Sequence, residues 1–191
     1  MRVISGTARG TKLRTLELAH LRPMLDRVRT ALFNIIRGEL EGAKVLDLFS
    51  GCGALGIEAL SRGASSCVFV EKDGALARLI AQNLEKCRMM DRSRILQADF
   101  FSLSRRVPPA GMLPAEVVFC DPPYEMIDDP NRRGEFFSAL EGLSDTWVRA
   151  GALEMLHHSP LPHALWPARR LECYDRRVYG RSQITLFRLA Y

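Results

Sequence analysis

Short, mainly apolar runs recur through the middle of the chain, and a segment with helical spacing follows most of them. These runs predict strands at residues 45–49, 67–71, 94–98, 117–120 and 152–156. Uninterrupted apolar runs are typical of parallel strands that are buried on both faces of a sheet. Their alternation with helical segments predicts a doubly wound α/β fold.

The segments between these runs carry apolar residues three and four positions apart, which indicates helices. One helix is predicted at 55–62, with Gly63 just beyond its end. A second should begin after Asp73, whose side chain can cap it, and run to about residue 87. A further helix is predicted at 135–143, after a mobile loop at 128–134 that we expect to lie over a cleft.

The N-terminal region has a different pattern. Residues 2–15 contain two strand-like segments around a glycine-rich turn, which predicts a small β-hairpin. A two-stranded hairpin is barely stable alone, so it should lean on the main domain. Asp26 is expected to cap a helix whose apolar residues face inward, while Arg27 and Arg29 point away from the core.

The C-terminal region alternates between apolar and polar residues. Residues 170–179 and 183–189 flank the turn-forming sequence Gly180-Arg181-Ser182. This arrangement predicts an antiparallel hairpin that closes the sheet.

A glycine-rich motif follows the first predicted strand, where the run breaks into Ser50-Gly51-Cys52-Gly53-Ala54-Leu55-Gly56. Its Gly-x-Gly-x-x-Gly spacing matches the fingerprint of dinucleotide-binding proteins, whose glycines let the backbone approach a ligand. Asp47 is a charge inside a buried strand, and Glu71 ends the next strand where a ribose-binding acid belongs. The motif alone is weak evidence, because many such turns carry glycine only for packing.

A second motif, Asp121-Pro122-Pro123-Tyr124, follows the strand predicted at 117–120. Because proline is about 5% of average composition, this tetrapeptide arises by chance in roughly one chain per thousand of this length. Its carboxylate falls at the carboxyl end of a strand, where open α/β sheets bind ligands. Asp121 and the Pro122 carbonyl can accept both hydrogens of an amino group, and Tyr124 can stack on a planar base.

With these motifs the chain resembles the S-adenosylmethionine-dependent methyltransferases that act on exocyclic amines. Within them it is similar to the bacterial 16S ribosomal RNA guanine-N2 methyltransferases of the small-subunit RNA methyltransferase D family. The resemblance covers nearly the full length and includes further motifs: Arg2-Val3-Ile4-Ser5-Gly6, Ala8-Arg9-Gly10-x-Lys12-Leu13, Arg22-Pro23, Asp26-Arg27-Val28-Arg29-x-Ala31-Leu32-Phe33-Asn34 and Tyr179-Gly180. It departs at Met24 and Leu25, where the family usually has small hydroxyl residues.

The resemblance implies a Rossmann-like class I methyltransferase fold. Its sheet would be doubly wound and seven-stranded, with an antiparallel C-terminal hairpin and a small N-terminal β-hairpin. We expect residues 1–25 to form a basic hairpin extension and residues 26–191 to form the methyltransferase domain.

The resemblance also implies S-adenosylmethionine as the cofactor and a set of site residues. The catalytic group would be Asp121, Pro122 and Tyr124. The cofactor-binding residues would be Asp47, Phe49, Ser50, Gly51, Gly53, Gly56, Glu71, Asp99 and Phe100. In this assignment the glycine turn seats the methionine portion, Glu71 binds the ribose, and Asp99 with Phe100 binds the adenine. Without the resemblance, Phe100 reads as a core residue and Asp99 as a helix cap.

The net charge is +5, and residues 1–42 hold eight Arg or Lys against four Asp or Glu. This placement favours a polyanionic partner, although a solvated basic face would have the same composition. The partner implied by the resemblance is 16S ribosomal RNA or a small-subunit ribosomal particle. The residues expected to contact RNA are Arg2, Arg9, Lys12, Arg14, Arg22 and Arg27. Such contacts position RNA and do not choose the base.

The amino-acid composition limits the other classes of protein to which the chain could belong. With 47% apolar and 26% charged residues, the chain is typical of a soluble globular protein, and no apolar stretch approaches the roughly 18 residues of a membrane span. We expect a cytoplasmic monomer with reduced cysteines. No metal is expected, because His157, His158 and His163 lack acidic or thiol partners at ligand spacing.

Three alternatives remain open from the sequence. A DNA adenine or cytosine amino-methyltransferase shares the Asp121 tetrapeptide, but this chain lacks an evident long base-recognition domain. A nicotinamide-dependent dehydrogenase shares the glycine turn and leaves the tetrapeptide unexplained. A noncatalytic RNA-binding module would explain only the charge.

Overall fold

The computed structural model of the protein describes residues 1–16, 24–162 and 169–190. Within these residues seven strands form one sheet. In chain order they are β1 Lys44–Leu48, β2 Ser66–Glu71, β3 Ser93–Gln97, β4 Ala115–Cys120, β5 Val148–His158, β6 Leu171–Tyr179 and β7 Ser182–Leu189.

Five α-helices accompany the strands in the described part of the chain. They are α1 Asp26–Ile35, α2 Ala54–Ser61, α3 Gly74–Cys87, α4 Glu125–Asp128 and α5 Pro130–Glu141. Short 3₁₀ helices occupy Arg37–Glu39, Met90–Arg92 and Phe100–Arg105. The predicted cap of α3 is confirmed, because the Asp73 carboxylate accepts hydrogen bonds from the backbone N–H groups of Ala75 and Leu76.

The strand order is β3-β2-β1-β4-β5-β7-β6. The first five of these strands pair in parallel, and β7 pairs antiparallel with both β5 and β6. This topology confirms the predicted doubly wound sheet and its antiparallel C-terminal hairpin. The chain reverses its direction of winding between β1 and β4, and ligands bind at the carboxyl ends of strands beside such a reversal.

Two hydrophobic clusters explain why the strand sequences are apolar throughout. Alternate residues of β4 divide between them, with Val117 and Phe119 in one cluster and Val118 and Cys120 in the other. The first cluster also contains apolar residues of α1, α2 and α3, and the second contains those of α4 and α5. Because successive strand residues point to opposite faces, both faces of β4 are covered.

The N-terminal segment forms a minimal hairpin with a single antiparallel bridge between Arg2 and Lys12. A buried carboxylate of α2 attaches it to the domain, since Glu58 accepts hydrogen bonds from the backbone N–H groups of Ile4 and Ser5 at 2.7 and 3.0 Å. The segment also places apolar side chains in the first cluster of the sheet. The hairpin therefore leans on the domain through polar and apolar contacts together.

A buried amide on α3 provides a second attachment. Asn83 accepts a hydrogen bond from the backbone N–H of Arg14 at 2.8 Å and donates to its carbonyl at 3.0 Å. The same amide donates to the carbonyl of Cys52 at 2.9 Å. One side chain therefore connects the N-terminal segment to the glycine turn.

Two predictions about α1 are wrong. Leu25, not Asp26, is the residue that precedes the helix, and the Asp26 carboxylate accepts from Arg29 at 3.1 Å instead of capping the backbone. Arg29 points inward and is only 1% exposed, because it lies one turn before Leu32 and Phe33 on the buried face. Its guanidinium also donates to the carbonyl of Arg2 at 2.5 Å.

The prediction of a mobile loop at 128–134 is also wrong, because this segment is helical from Pro130 onward. Asp129 caps α5 by accepting a hydrogen bond from the backbone N–H of Asn131 at 2.9 Å. Proline is favoured at the first position of a helix, so the Asp-Pro pair was an available start signal. Arg133 is buried and donates to the carbonyl of Ile127 at 3.1 Å.

Gly56 gives a test of the packing beneath the glycine turn. A Cβ at this position would lie 2.4 Å from the Phe69 ring and 2.7 Å from the Cys67 sulfur, both fully buried. We expect Gly56→Ala to lower the free energy of unfolding by about 1–3 kcal/mol, because the core must shift. Urea denaturation measures this change.

The matched control is Gly134→Ala in α5. Apart from its chain neighbours and the backbone of its own helix, a Cβ there would meet no atom within 4 Å. Alanine is favoured over glycine inside a helix, so this variant should be stabilised by up to about 1 kcal/mol. Equal stability of the two variants would contradict the close packing at Gly56.

Candidate functional site

Four acidic residues lie at one edge of the sheet, where adjacent parallel strands end. Asp47 is the second-last residue of β1, Glu71 ends β2, Asp99 follows β3, and Asp121 follows β4. Since β3, β2, β1 and β4 are neighbours in that order, the four carboxylates form a row. The structure thus brings together the acids that the sequence assigned to the cofactor and the target amine.

Asp47 is buried at the end of β1 and supports the glycine turn. Its Oδ2 accepts a hydrogen bond from the backbone N–H of Gly56 at 2.9 Å. The pKa of this carboxyl is raised to about 8, mainly by burial and to a smaller extent by the negative charges of Asp121 and Glu71, while the hydrogen bond from Gly56 acts in the opposite direction. Such an environment favours a cationic ligand, because a nearby positive charge would stabilise the ionised carboxylate.

Glu71 connects the glycine turn to the start of α3. Its Oε2 accepts from the backbone N–H of Gly51 at 2.9 Å, and its Oε1 accepts from that of Asp73 at 2.9 Å. The Ser50 hydroxyl donates to the carbonyl of Asp47 at 2.6 Å. Each carboxylate oxygen of Glu71 has a second lone pair, which can accept a ligand hydroxyl.

The backbone of the turn adopts left-handed conformations. Gly51 and Gly53 have φ angles of 56° and 82°, which glycine allows without strain. Phe49 has a φ of 58°, which is an outlier for a bulky residue. β1 therefore ends at Leu48, one residue earlier than predicted. Strained backbone of this kind clusters at ligand sites, so Phe49 remains a candidate for cofactor contact.

The acid-aromatic pair after β3 is divided between two environments. Asp99 is exposed and caps the following 3₁₀ helix, since its Oδ1 accepts from the backbone N–H of Phe101 at 2.8 Å. Phe100 is buried and packs its ring 5.1 Å from that of Phe49. Asp99 is therefore a helix cap and Phe100 a core residue, as the sequence predicts without the family resemblance. The Asp99 carboxylate is nevertheless accessible.

Phe101 is an exposed aromatic ring that the sequence analysis missed. Its side chain is 38% exposed and its ring lies 5.1 Å from that of Phe100. The available signal was the pair of aromatic residues after Asp99, of which only one can face the core. Phe101 is the more accessible of the two rings beside that carboxylate.

The Asp121 tetrapeptide contacts a histidine that the sequence analysis considered only as a metal ligand. The Nδ1 of His157 lies 2.7 Å from Oδ1 of Asp121. Its Nε2 lies 3.3 Å from the hydroxyl of Tyr124, and the two rings meet edge to face at 72°. Pro122 lies between Asp121 and Tyr124 in the sequence and is buried. Because proline has a fixed φ angle, it makes this segment rigid.

Most of the basic residues assigned to RNA are exposed. They are Arg2, Arg9, Lys12, Arg14 and Arg27, and Arg22 lies outside the described residues. Arg14 is held by a hydrogen bond to the side chain of Gln82 at 2.8 Å. The N-terminal segment also contacts the glycine turn, where the Cys52 thiol lies 3.9 Å from the Met1 sulfur. The N-terminal segment, which carries four of these basic residues, therefore adjoins the glycine turn.

Across the described ranges, no three His, Cys, Asp or Glu side chains are grouped so that they could hold a metal ion. His163 lies outside these ranges. All five cysteines are free thiols. No helix in the described part of the chain is both long and apolar enough to cross a membrane.

The sequence of the chain matches a known protein family. The family described as Conserved hypothetical protein 95 matches residues 1–188. The ribosomal RNA small subunit methyltransferase D of Escherichia coli (strain K12) is 33% identical over 196 aligned positions, which span 95% of this chain and 93% of the relative.

Solved structures agree with the fold. The yhhF protein of Escherichia coli superposes with a TM-score of 0.81 at 30% identity, over 100% of this chain and 98% of that one. An RNA methyltransferase from Salinibacter ruber, in complex with S-adenosyl-L-homocysteine, shares the fold with a TM-score of 0.65 at 15% identity, over 88% of this chain and 94% of that one. The chain therefore belongs to the ribosomal RNA small subunit methyltransferase D family.

Proposed function

We propose that this protein transfers a methyl group from S-adenosylmethionine to the exocyclic N2 amine of a guanine in 16S ribosomal RNA. The observation that carries the proposal is the Asp121 carboxylate at the carboxyl end of β4. Its side chain is 24% exposed, and it neighbours the buried Asp47 in the row of acids. One carboxylate is thus accessible to a substrate amine, beside others suited to a cation.

The residues at the sheet edge fit S-adenosylmethionine. Its sulfonium and ammonium groups are cations, which suit the negative environment around Asp47. The turn at Gly51 leaves open space for a ligand, since a Cβ there would meet no atom within 4 Å. Glu71 can accept hydrogen bonds from the ribose hydroxyls, and the exposed Asp99 can accept one from the adenine amine.

The cofactor supplies an electrophilic methyl group, so the protein's task is to position and polarise the amine. The guanine N2 amine is a weak nucleophile because its lone pair is delocalised into the ring. Asp121 and the Pro122 carbonyl would accept its two hydrogens and so turn the lone pair toward the methyl group. Asp121 would also accept the proton that N2 loses as the new bond forms.

RNA binding would place the target base in this site. A base must leave its stack to reach such a pocket, which costs a few kcal/mol and favours an unpaired guanine in a loop. Tyr124 is half-buried and can stack on the extruded base. The basic extension proposed for residues 1–25 would hold the RNA backbone beside the cleft. We place the reaction in the cytoplasm, on the assembling small subunit, with the protein acting as a monomer.

The identity of the product tests this function. Labelled methyl transfer should occur to small-subunit particles that lack the modification, and nucleoside analysis should give N2-methylguanosine at a single site. Naked 16S RNA and duplex DNA serve as parallel substrates. Methyladenine or methylcytosine in DNA would reject the proposal in favour of a DNA amino-methyltransferase.

Asp121→Ala tests the role of the carboxylate. We expect kcat to fall at least about 100-fold, because an interaction made by the reacting amine is lost. The Kd for the cofactor should change less than about threefold, since Asp121 is assigned to the amine. Single-turnover methyl transfer and calorimetry measure the two quantities. Glu172→Ala, on the exposed surface of β6, is the matched control and should keep full activity.

The raised pKa of Asp47 predicts how cofactor binding depends on pH. At pH 6 the buried carboxyl of the free protein is largely protonated, because its pKa is raised to about 8. A cation binds the ionised form better, so affinity for S-adenosylmethionine should rise by up to about tenfold per pH unit below 8 and then level off. Calorimetry in buffers of different ionisation enthalpy would detect the released proton. Asp47→Asn should remove the slope; an unchanged slope would contradict the assignment.

A further inference from the structure

His157 lies at the junction of β4 and β5, where two distant parts of the sequence meet. The register pairs Cys120 with Leu156, so the next residues on each strand, Asp121 and His157, are neighbours. His157 is 3% exposed although its ring contacts the partly open Asp121 carboxylate. One imidazole therefore contacts both functional ends of the tetrapeptide, at Asp121 and at Tyr124.

The partners determine which ring nitrogen carries the hydrogen. An ionised carboxylate only accepts hydrogen bonds, so Nδ1 of His157 donates to Asp121. In the neutral ring Nε2 is then an acceptor, and the Tyr124 hydroxyl can donate to it. A single tautomer satisfies both contacts without any charge on the ring.

We propose that His157 is a positioning residue for methyl transfer, which holds the Asp121 carboxylate and the Tyr124 ring in the geometry that receives the target amine. The proposal rests on the function proposed above for Asp121. The bond at 2.7 Å restrains Oδ1, and among the described residues no group donates to Oδ2. The restrained carboxylate thus offers its second oxygen to the substrate amine. The edge-to-face contact sets the plane of the Tyr124 ring.

The adjacent histidine, His158, has a buried contact with Thr185 on the other face of the sheet. Side chains of neighbouring strand residues point to opposite faces, so His158 lies on the other side of β5 from His157. Its Nε2 lies 2.9 Å from the Thr185 hydroxyl, and burial lowers its pKa to about 4. The described hydrogen bonds of His158 join its ring to the Ser159 carbonyl and the Thr185 hydroxyl. It is therefore a matched control of the same residue type and burial.

Two substitutions separate positioning from packing. In His157→Asn the amide nitrogen is bonded to Cγ, as Nδ1 is in histidine, so it can still donate to Asp121. His157→Leu introduces an apolar side chain of similar bulk and removes the donor. At saturating RNA and cofactor, we expect kcat to fall about 10- to 100-fold in His157→Leu and to stay within about fivefold of wild type in His157→Asn. The cofactor Kd should be unchanged in both.

His158→Leu should lower stability, because the buried Thr185 hydroxyl loses its contact with His158 and keeps the hydrogen bond that Gln183 donates. It should leave kcat of the folded protein within about twofold. The proposal is overturned if His157→Leu keeps a kcat within twofold of wild type. It is also overturned if His157→Asn is as slow as His157→Leu.

A second measurement does not depend on activity. With ¹⁵N-labelled histidine, the wild-type His157 resonances should show a hydrogen on Nδ1 at neutral pH, and His157→Asn identifies them by their loss. Asp121→Ala should shift the ring toward the Nε2–H tautomer. A bare Nδ1 in the wild type would overturn the contact itself. This result tests the contact between His157 and Asp121 even if the wild type methylates no RNA, an outcome that would instead reject the proposed function.

Discussion

The hydrogen bond between the Asp47 carboxylate and the Gly56 backbone is the contact on which the site depends. It joins the end of β1 to the first turn of α2, and Glu71 reinforces the turn through Gly51. Burial raises the pKa of Asp47, and the neighbouring negative charges of Asp121 and Glu71 add to this effect. A cationic cofactor would relieve this repulsion, which couples the structure of the turn to ligand binding.

The N-terminal segment depends on the same region. Buried polar side chains of α2 and α3, Glu58 and Asn83, hold its backbone, and Asn83 also holds the glycine turn through Cys52. The basic surface is consequently not a loose arm. Its arginines project from a backbone that is fixed relative to the glycine turn, so RNA bound to them would have a defined position relative to that turn.

Local sequence patterns predicted most of the strands and the ends of several helices, because apolar runs and caps act over a few residues. The failures came where a local pattern was ambiguous. The segment at 128–134 looked like a loop because of its polar residues and glycine, yet Asp129 and Pro130 form a helix start. Arg29 looked solvent-exposed by its charge, but helical periodicity places it on the buried face of α1.

By itself the sequence determined the fold class, the glycine turn and the acids at the strand ends, since each is a short motif with its own physical reason. Only the tertiary structure decided which of these groups touch. His157 is 36 residues from Asp121, and their contact follows from the parallel register of β4 and β5. The burial of Phe100 and exposure of Phe101 were decided in the same way, by packing against Phe49. Register and packing join distant segments, so no local pattern contains them.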